Sequence, residues 1–481
     1  MASPPQTQTF THPRLGPLTG LLSPSTPAVA HFRSIPYAST PARFRQSILL
    51  TSIPSAHSRD FTKYGTTCPC PPQMDQIEAS GGPLEEEKER VYDEEGCLGL
   101  TIAVPTEVLS TGRELPVMVY VHGGGFTVGS SHVSALHDTR RLVESSIKEG
   151  HPVIIVSIHY RLNWFGFLAC QDLLDEATSL NEAPMSFGIH DQRNAFLWIH
   201  RFIPGFGGTS SVSKITAFGE SAGSASIALH MCSSLPLFGR AILMSGTPST
   251  APPVDLKYKE AEYRALLRYC GIEEGNGDGL EKLRSVKWER LLEAIGGVGI
   301  PIFRCDLMFS HLIHSLSHHV AKSNKKVYRY HQTIRNPFPG SGMHQIPGHH
   351  FIELLFLFGT LRERYPSQKL KDISDEYGKR WLKFAVGEAS WPEYGAGESG
   401  EENIMIICGG EGFDLRTRRE DELKSATASE GERRYKAWEV IEEVMGSLGE
   451  EKGEEVRMSW GPDGGFWRLA GLEGPYGVVL P

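Results

Sequence analysis

The sequence predicts an α/β protein in which a mostly parallel central sheet is flanked by helices on both faces, and three observations predict it. First, Pro116-Val-Met-Val-Tyr-Val121, Pro152-Val-Ile-Ile-Val-Ser157 and Lys214-Ile-Thr-Ala-Phe218 are short apolar runs rich in β-branched residues. Continuous rather than alternating apolar runs mark strands buried on both faces, as in parallel sheets. Second, Ile189, Ala195, Phe196 and Ile199 recur at helical spacing within 188–202, between two of those strands. Third, Gly219-Glu-Ser-Ala-Gly223 follows the 214–218 run directly and leads into the small-residue stretch Ser224 to Cys232, so a strand turns into a helix there.

The remaining elements follow in order. Residues 1 to about 110 carry many prolines and glycines with little helical period, and read as short strands and loops. The charged run Glu85–Glu95 is a solvated surface segment. Arg240-Ala-Ile-Leu-Met244 is a fourth buried strand. Residues 256–295 hold two helical stretches broken at Gly271–Gly279, Lys326-Val-Tyr-Arg-Tyr330 is a late strand, and helices are expected at about 367–386 and 432–447. The Gly- and Glu-rich segments 393–402 and 449–455 are exposed loops. The chain reads as one domain over 1–481: a strand and loop region 1–110, a core 111–250, and a helical and C-terminal part 251–481.

Composition narrows the function classes. The 481 residues are 40% hydrophobic and 22% charged, which is ordinary for a globular protein with a large core. The 48 basic and 57 acidic residues give a net charge of −9, with no basic stripe of the kind that marks a nucleic-acid partner. Eight cysteines in 481 residues are too sparse for a disulfide framework. No run approaches the roughly 20 apolar residues of a spanning helix, so no membrane anchor is expected. The start lacks the apolar stretch of a secretory signal. Its Ser, Thr and Pro content resembles a transit peptide without the Arg-bearing amphipathic helix, and a cytoplasmic location is expected.

The Gly219–Gly223 motif has a mechanical meaning. A turn from strand to helix this tight needs small residues on either side of Ser221, and it lifts the serine hydroxyl clear of the sheet at a helix N-terminus. A serine hydroxyl reacts only when a base takes its proton, and the resulting oxyanion needs donors worth about 3 kcal/mol each. His122-Gly-Gly-Gly-Phe126, after the 116–121 strand, can turn backbone N–H groups toward an anion without Cβ obstruction. Together with the amide of Ala222, just after the serine, these glycines form a three-donor set.

Taken together, the motifs resemble the type-B carboxylesterase family, whose relatives include cholinesterases and lipases. The resemblance rests on Phe32-Arg-Ser-Ile-Pro-Tyr-Ala38, Arg43-Phe44, Glu95-Gly-Cys-Leu98, the 122–126 loop, Tyr160-Arg-Leu, Gly166-Phe-Leu168, Asp191-Gln192 with Trp198, Phe206-Gly-Gly208, the 219–223 turn and Met244-Ser-Gly246. It implies an α/β-hydrolase acting on small-molecule carboxylic esters through an acyl-enzyme, with no metal or other cofactor. The oxyanion donors map to Gly124, Gly125 and Ala222, and Arg43 with Glu95 to a buried structural ion pair. Gly348-His-His-Phe-Ile-Glu-Leu354 resembles the family's segment His-x-x-Glu followed by aliphatic residues. That register selects His350 as the base for Ser221, with Glu353 as a supporting carboxylate; His349 is off by one, and His344 is the next candidate.

The match breaks at the third triad member. Only 129 residues separate Ser221 from His350, fewer than in the family, and the strand and acidic loop expected between them are missing. An internal deletion is expected near 296–303. Glu273-Glu-Gly275 mimics the acidic loop but follows a helix, so the acid is left unassigned. Catalytic impairment, or a non-catalytic binding role on the same fold, stands as the alternative to hydrolysis. His311, His314, His318 and His319 fall at helical spacing, and His344, His349 and Glu353 are near in sequence. Neither set is read as a metal site, because no tetrahedral ligand set is complete. Substrate identity and oligomeric state leave no mark in the sequence.

Overall fold

The computed structural model describes residues 6–71, 80–82, 91–132, 134–248, 256–273, 277–298, 316–317, 320–321, 325–395, 402–408 and 412–425. Fourteen strands lie in them. The first seven are β1 (Gln6–His12), β2 (Gly16–Ser23), β3 (Thr26–Pro36), β4 (Ala38–Ser39), β5 (Ile48–Leu49), β6 (Asp60–Phe61) and β7 (Gly99–Pro105). The others are β8 (Val117–Val121), β9 (Ile154–Ile158), β10 (Ile215–Glu220), β11 (Arg240–Met244), β12 (Arg329–Gln332), β13 (Asn403–Cys408) and β14 (Gly412–Thr417). Nine of them form the main sheet, in the order β1-β2-β3-β7-β9-β8-β10-β11 with β6 beside β2. The neighbours β9-β8-β10-β11 are parallel. β1, β2, β3, β7 and β9 are joined antiparallel.

The apolar runs without alternation are explained by burial on both sides. Side chains alternate across a strand, so β8 divides its residues between two cores. Val117, Val119 and Val121 pack with Phe196, Trp198 and Ile199 of helix α3. Met118 and Tyr120 pack on the other face with Leu142 and Val143 of α1 and with Tyr377 and Trp381 of α7. The helices of ten or more residues among those described are α1 (Thr139–Lys148), α2 (Gln171–Leu180), α3 (Phe187–Phe202), α4 (Ala222–Met231), α5 (Leu256–Tyr269), α6 (Trp288–Val298) and α7 (Gln368–Val386). Local chemistry sets their ends. The Asp138 carboxylate accepts from the Arg140 amide at the start of α1, the Ser367 hydroxyl accepts from the Leu370 amide at the start of α7, and Gly387, with φ 92°, stops α7. Among the described residues no helix is long and apolar enough to cross a membrane.

One ion pair fastens α3 to the end of β9. Arg161 forms a two-pronged bond to Asp191, with Nε to Oδ2 and Nη2 to Oδ1 both at 2.8 Å, and the Arg161 amide also donates to Oδ2 at 3.1 Å. The side chains are 2% and 0% exposed, and the remaining Arg161 donor reaches the Arg45 carbonyl. All the charge is matched, which is the condition under which burying it is tolerable.

Three expectations change. Arg43 pairs with Glu94, through Nε at 2.6 Å and through Nη2, rather than with Glu95. The Glu95 amide donates to Asp93 Oδ1, and this local turn aims Glu94 inward and leaves Glu95 exposed. The late strand starts at Arg329 rather than 326, because its register is set by β13, with Arg329 opposite Ile404. β13 and β14 form a three-stranded sheet with β12 that sequence reading missed, since the Gly- and Glu-rich run just before Asn403 masked the short apolar run Ile404–Ile407. The helix expected at 432–447, the loop at 449–455, the histidines 311, 314, 318 and 319, and most of the 296–303 junction lie outside the described residues.

Removing one partner of a desolvated pair strands the other charge, at a cost of about 3–5 kcal/mol. Asp191→Ala is therefore expected to lower the urea-unfolding free energy by that amount. Removing Glu144, whose bond to Lys148 lies at the surface, should cost less than about 1 kcal/mol. Equal losses would contradict this assignment.

Candidate active site

The site begins at the turn from β10 into α4. Ser221 has φ 56° and ψ −122°, a region that side-chain-bearing residues occupy only where the surroundings impose it. Three contacts impose it. The Ser221 amide donates to the Met244 carbonyl at 2.8 Å, tying the turn to β11, and its carbonyl accepts from the Ala225 amide at 2.9 Å. A Cβ on Gly223 would lie 2.0 Å from the Val121 carbonyl oxygen, so α4 starts against the end of β8 at a distance only glycine permits.

The glycine loop lies on the same side. A Cβ on Gly123 would be 3.0 Å from Ser221 Cβ, so this loop packs directly on the serine. Gly124 and Gly125 have φ 109° and 59°, and Phe126 has φ 58°. The loop is held by the Thr127 and Val128 amides, both donating to the Gly124 carbonyl at 3.0 Å. Among the described residues none of the Gly124, Gly125 and Ala222 amides donates to a backbone carbonyl. They are thus left without a backbone acceptor, as donors for an anion must be.

His350 completes the contact. Its Nε2 is 2.8 Å from Ser221 Oγ, so in the Nδ1–H tautomer the serine hydroxyl donates to it. The ring is 29% exposed. Loss of water around it, and secondarily the neighbouring His349, lowers its pKa from 6.5 to about 4, so it is neutral at neutral pH, the form a base requires. His349 is turned away into a structural role: its Nδ1 meets the His350 carbonyl at 2.7 Å and its Nε2 meets Asn336 Nδ2 at 3.1 Å. His344 is exposed and bonds to its neighbour Gln345. His344, His349 and Glu353 therefore point to three different partners rather than to one centre.

Two buried carboxyl groups back the serine and histidine. Glu220 Oε1 is 3.2 Å from His350 Nε2 without hydrogen-bond geometry. Burial, and then the charge of Glu353, push the Glu220 pKa well above its ordinary value. A shift toward the neutral form weakens its pull on a proton at Nε2, in favour of the bond to the serine. Glu353 accepts from Ser245 Oγ and, at 2.9 Å, from Gln332 Nε2, and burial raises its pKa too. Sequence reading missed Glu220, Ser245 and Gln332. The signal for Glu220 lay in the strand alternation, which points Thr216, Phe218 and Glu220 to one face of β10. Glu220 flanks His350 on the nitrogen that faces the serine, whereas an orienting acid bonds the opposite nitrogen. Glu273, at the start of the segment that mimics an acidic loop, is exposed after α5; residues 274 and 275 lie outside the described residues.

Comparison with known proteins speaks for the family and the fold. The sequence model of the carboxylesterase family matches residues 6–300. Lipase 4 of Diutina rugosa is 32% identical over 306 residues, covering 58% of this chain and 52% of that lipase. Acetylcholinesterase of Electrophorus electricus is 39% identical over 204 residues, covering 41% of this chain and 29% of the relative. The chain thus spans about half the length, or less, of the curated relatives it matches. Among solved structures, a thermophilic PNB esterase superposes with a TM-score of 0.64 at 22% identity, over 87% of this chain and 99% of that one; at that identity the likeness speaks for the fold. The family match stops at 300, so the approach of His350 to Ser221 is a finding of the structure and not of the sequence match.

The His350 ring should titrate with a midpoint near 4. Between that value and 6.5 the unfolded chain takes up a proton that the folded chain refuses. The stability gained from the neutral ring is complete above 6.5 and is lost as pH falls through this window. Two-dimensional NMR of the histidine ring resonances measures it, and a midpoint at or above 6 would contradict the desolvated environment.

Proposed function

Because the chain belongs to the carboxylesterase family, we propose that it hydrolyses small-molecule carboxylic esters by acyl transfer through Ser221. The observation that carries this reading is the 2.8 Å contact between Ser221 Oγ and the Nε2 of His350, on a turn that faces the glycine amides.

The steps follow from the geometry. Neutral His350 takes the Ser221 proton as the serine oxygen attacks the ester carbonyl. The carbonyl oxygen becomes an oxyanion, and the Gly124, Gly125 and Ala222 amides supply its donors, each worth about 3 kcal/mol in the transition state. The imidazolium returns its proton to the leaving alkoxide, which departs as the alcohol and leaves Ser221 acylated. Water, deprotonated by the same ring, releases the carboxylic acid. Both protonation states of His350 are consistent with its surroundings: the lowered pKa keeps it neutral at rest, and a proton on Nε2 lies between the Ser221 oxygen at 2.8 Å and the Glu220 carboxyl at 3.2 Å.

Hydrolysis of p-nitrophenyl butyrate tests the reading. Ser221→Ala and His350→Ala are each expected to lower kcat by at least about a thousandfold while leaving the far-ultraviolet circular dichroism unchanged. Gly124→Ala places a Cβ 2.1 Å from the Val128 carbonyl oxygen. It should shift the donor loop and cost about a hundredfold or more in kcat, with little change in KM. A folded, monodisperse wild-type chain without turnover would instead favour a non-catalytic binding role on the same fold.

A further inference from the structure

Among the described residues the main sheet ends at β11, whose ladder runs to β10 alone. The edge is Arg-Ala-Ile-Leu-Met, apolar after its first residue, and its first four residues are only half-buried. Such an edge is a template for another strand, and proteins normally charge it, shorten it or cover it. A cavity of about 830 Å³ is lined by this edge, from Gly239 and Arg240 to Gly246 and Thr247, and reaches His349 and His350 of the active site. Its opposite wall is Val327–Gln332, which includes the whole of β12.

The volume alone falls in the ~300–1,000 Å³ range of small-molecule pockets. The open edge decides otherwise. One wall of the cavity is a five-residue strand edge, which at ~3.3 Å per residue is the run of a short β-strand. A compact ligand would leave the backbone groups of that edge without partners, whereas an extended chain meets them with ladder hydrogen bonds.

Charge selects the kind of chain. Arg240 donates to the Ser213 and Ala385 carbonyls and pairs with no carboxylate among the described residues. Lys325 and Lys326 on the opposite wall are exposed and form no ion pair there. Of the two acidic groups in the lining, Glu353 is buried and bonded to Ser245 and Gln332, and Glu388 faces His151 at 3.7 Å. We propose that the slot between β11 and β12 receives an extended acidic segment of a partner protein, which adds to β11 as a strand and sets its carboxylates against Arg240, Lys325 and Lys326. The rings of Tyr328, Phe384 and Trp391, with Tyr328 5.8 and 6.4 Å from the other two, line the cavity and offer apolar surface to its side chains. The proposal does not depend on hydrolysis, and binding is read without substrate.

The probe is a fluorescein-labelled synthetic peptide of sequence Glu-Glu-Val-Thr-Val-Thr-Val, titrated with the full chain and followed by fluorescence anisotropy and by hydrogen exchange of those amides within 241–243 that point away from β10. The expected result is saturable binding with protection of those amides. Binding should weaken at least tenfold when alternate peptide amides are N-methylated, which removes ladder donors and keeps the charge. Arg240→Glu also breaks bonds to two carbonyls, so the exposed pair Lys325→Glu with Lys326→Glu carries the charge test, again with a loss of at least tenfold. Four results would overturn the proposal: no binding, equal binding of the N-methylated peptide, displacement by laurate (which makes the slot a lipid site), or protection of the outward amides without peptide in a dimer seen by size exclusion.

Discussion

The approach of helix α4 to the end of strand β8 is the constraint on which the site depends. Gly223 sits where a Cβ would come within 2.0 Å of the Val121 carbonyl oxygen, so no other residue type lets the helix begin there. Starting the helix so close forces the preceding residue, Ser221, to φ 56°. The hydroxyl is thereby raised off the sheet toward the glycine loop, which itself follows β8. One strand thus fixes both halves of the site: its last carbonyl sets the depth of the turn, and the loop beyond it brings the donor amides. The strain at one residue is borne by the parallel strands and by the bond from the Ser221 amide to Met244.

Electrostatics around the turn follow from burial. Three titratable groups, His350, Glu220 and Glu353, are crowded behind one hydroxyl, and loss of water moves each toward its neutral form. A charged Glu220 would draw the Nε2 proton and turn the base into an imidazolium. A neutral one leaves Nε2 free to accept from the serine. The polar hydrogen bonds of Glu353 to Ser245 and Gln332 anchor the far side of this group, so β11 and β12 both contribute to a site whose reacting residues they do not carry. This also explains why the site tolerates the gap between those two strands: each is attached to the centre through Glu353.

Much of this was legible in the sequence because local rules and global packing agree there. The runs 116–121, 152–157, 214–218 and 240–244 became β8 to β11 to within a residue or two, since strands buried on both faces leave no alternative pattern. Ser221 and the glycine loop were legible because backbone geometry dictates their residue types. His350 was legible only by resemblance, as nothing local separates it from His349; the fold does so by turning one ring to Ser221 and the other to Asn336. What stayed hidden was tertiary. Glu94 rather than Glu95 meets Arg43 because a side-chain turn at Asp93 reverses the expected facing. β13 was lost beside a Gly- and Glu-rich stretch. Glu220 was not singled out within the 219–223 motif, although strand alternation puts its carboxyl beside the base.

The central claim is that the hydroxyl of Ser221 is activated by the imidazole of His350 on a rigid turn. Reaction of the native chain with a fluorophosphonate, followed by peptide mapping, measures this most directly. The account predicts a single phosphonyl adduct on Ser221 that disappears in His350→Ala while the fold persists. A native, folded chain that takes up no label, or a His350→Ala variant labelled at the same rate, would contradict it.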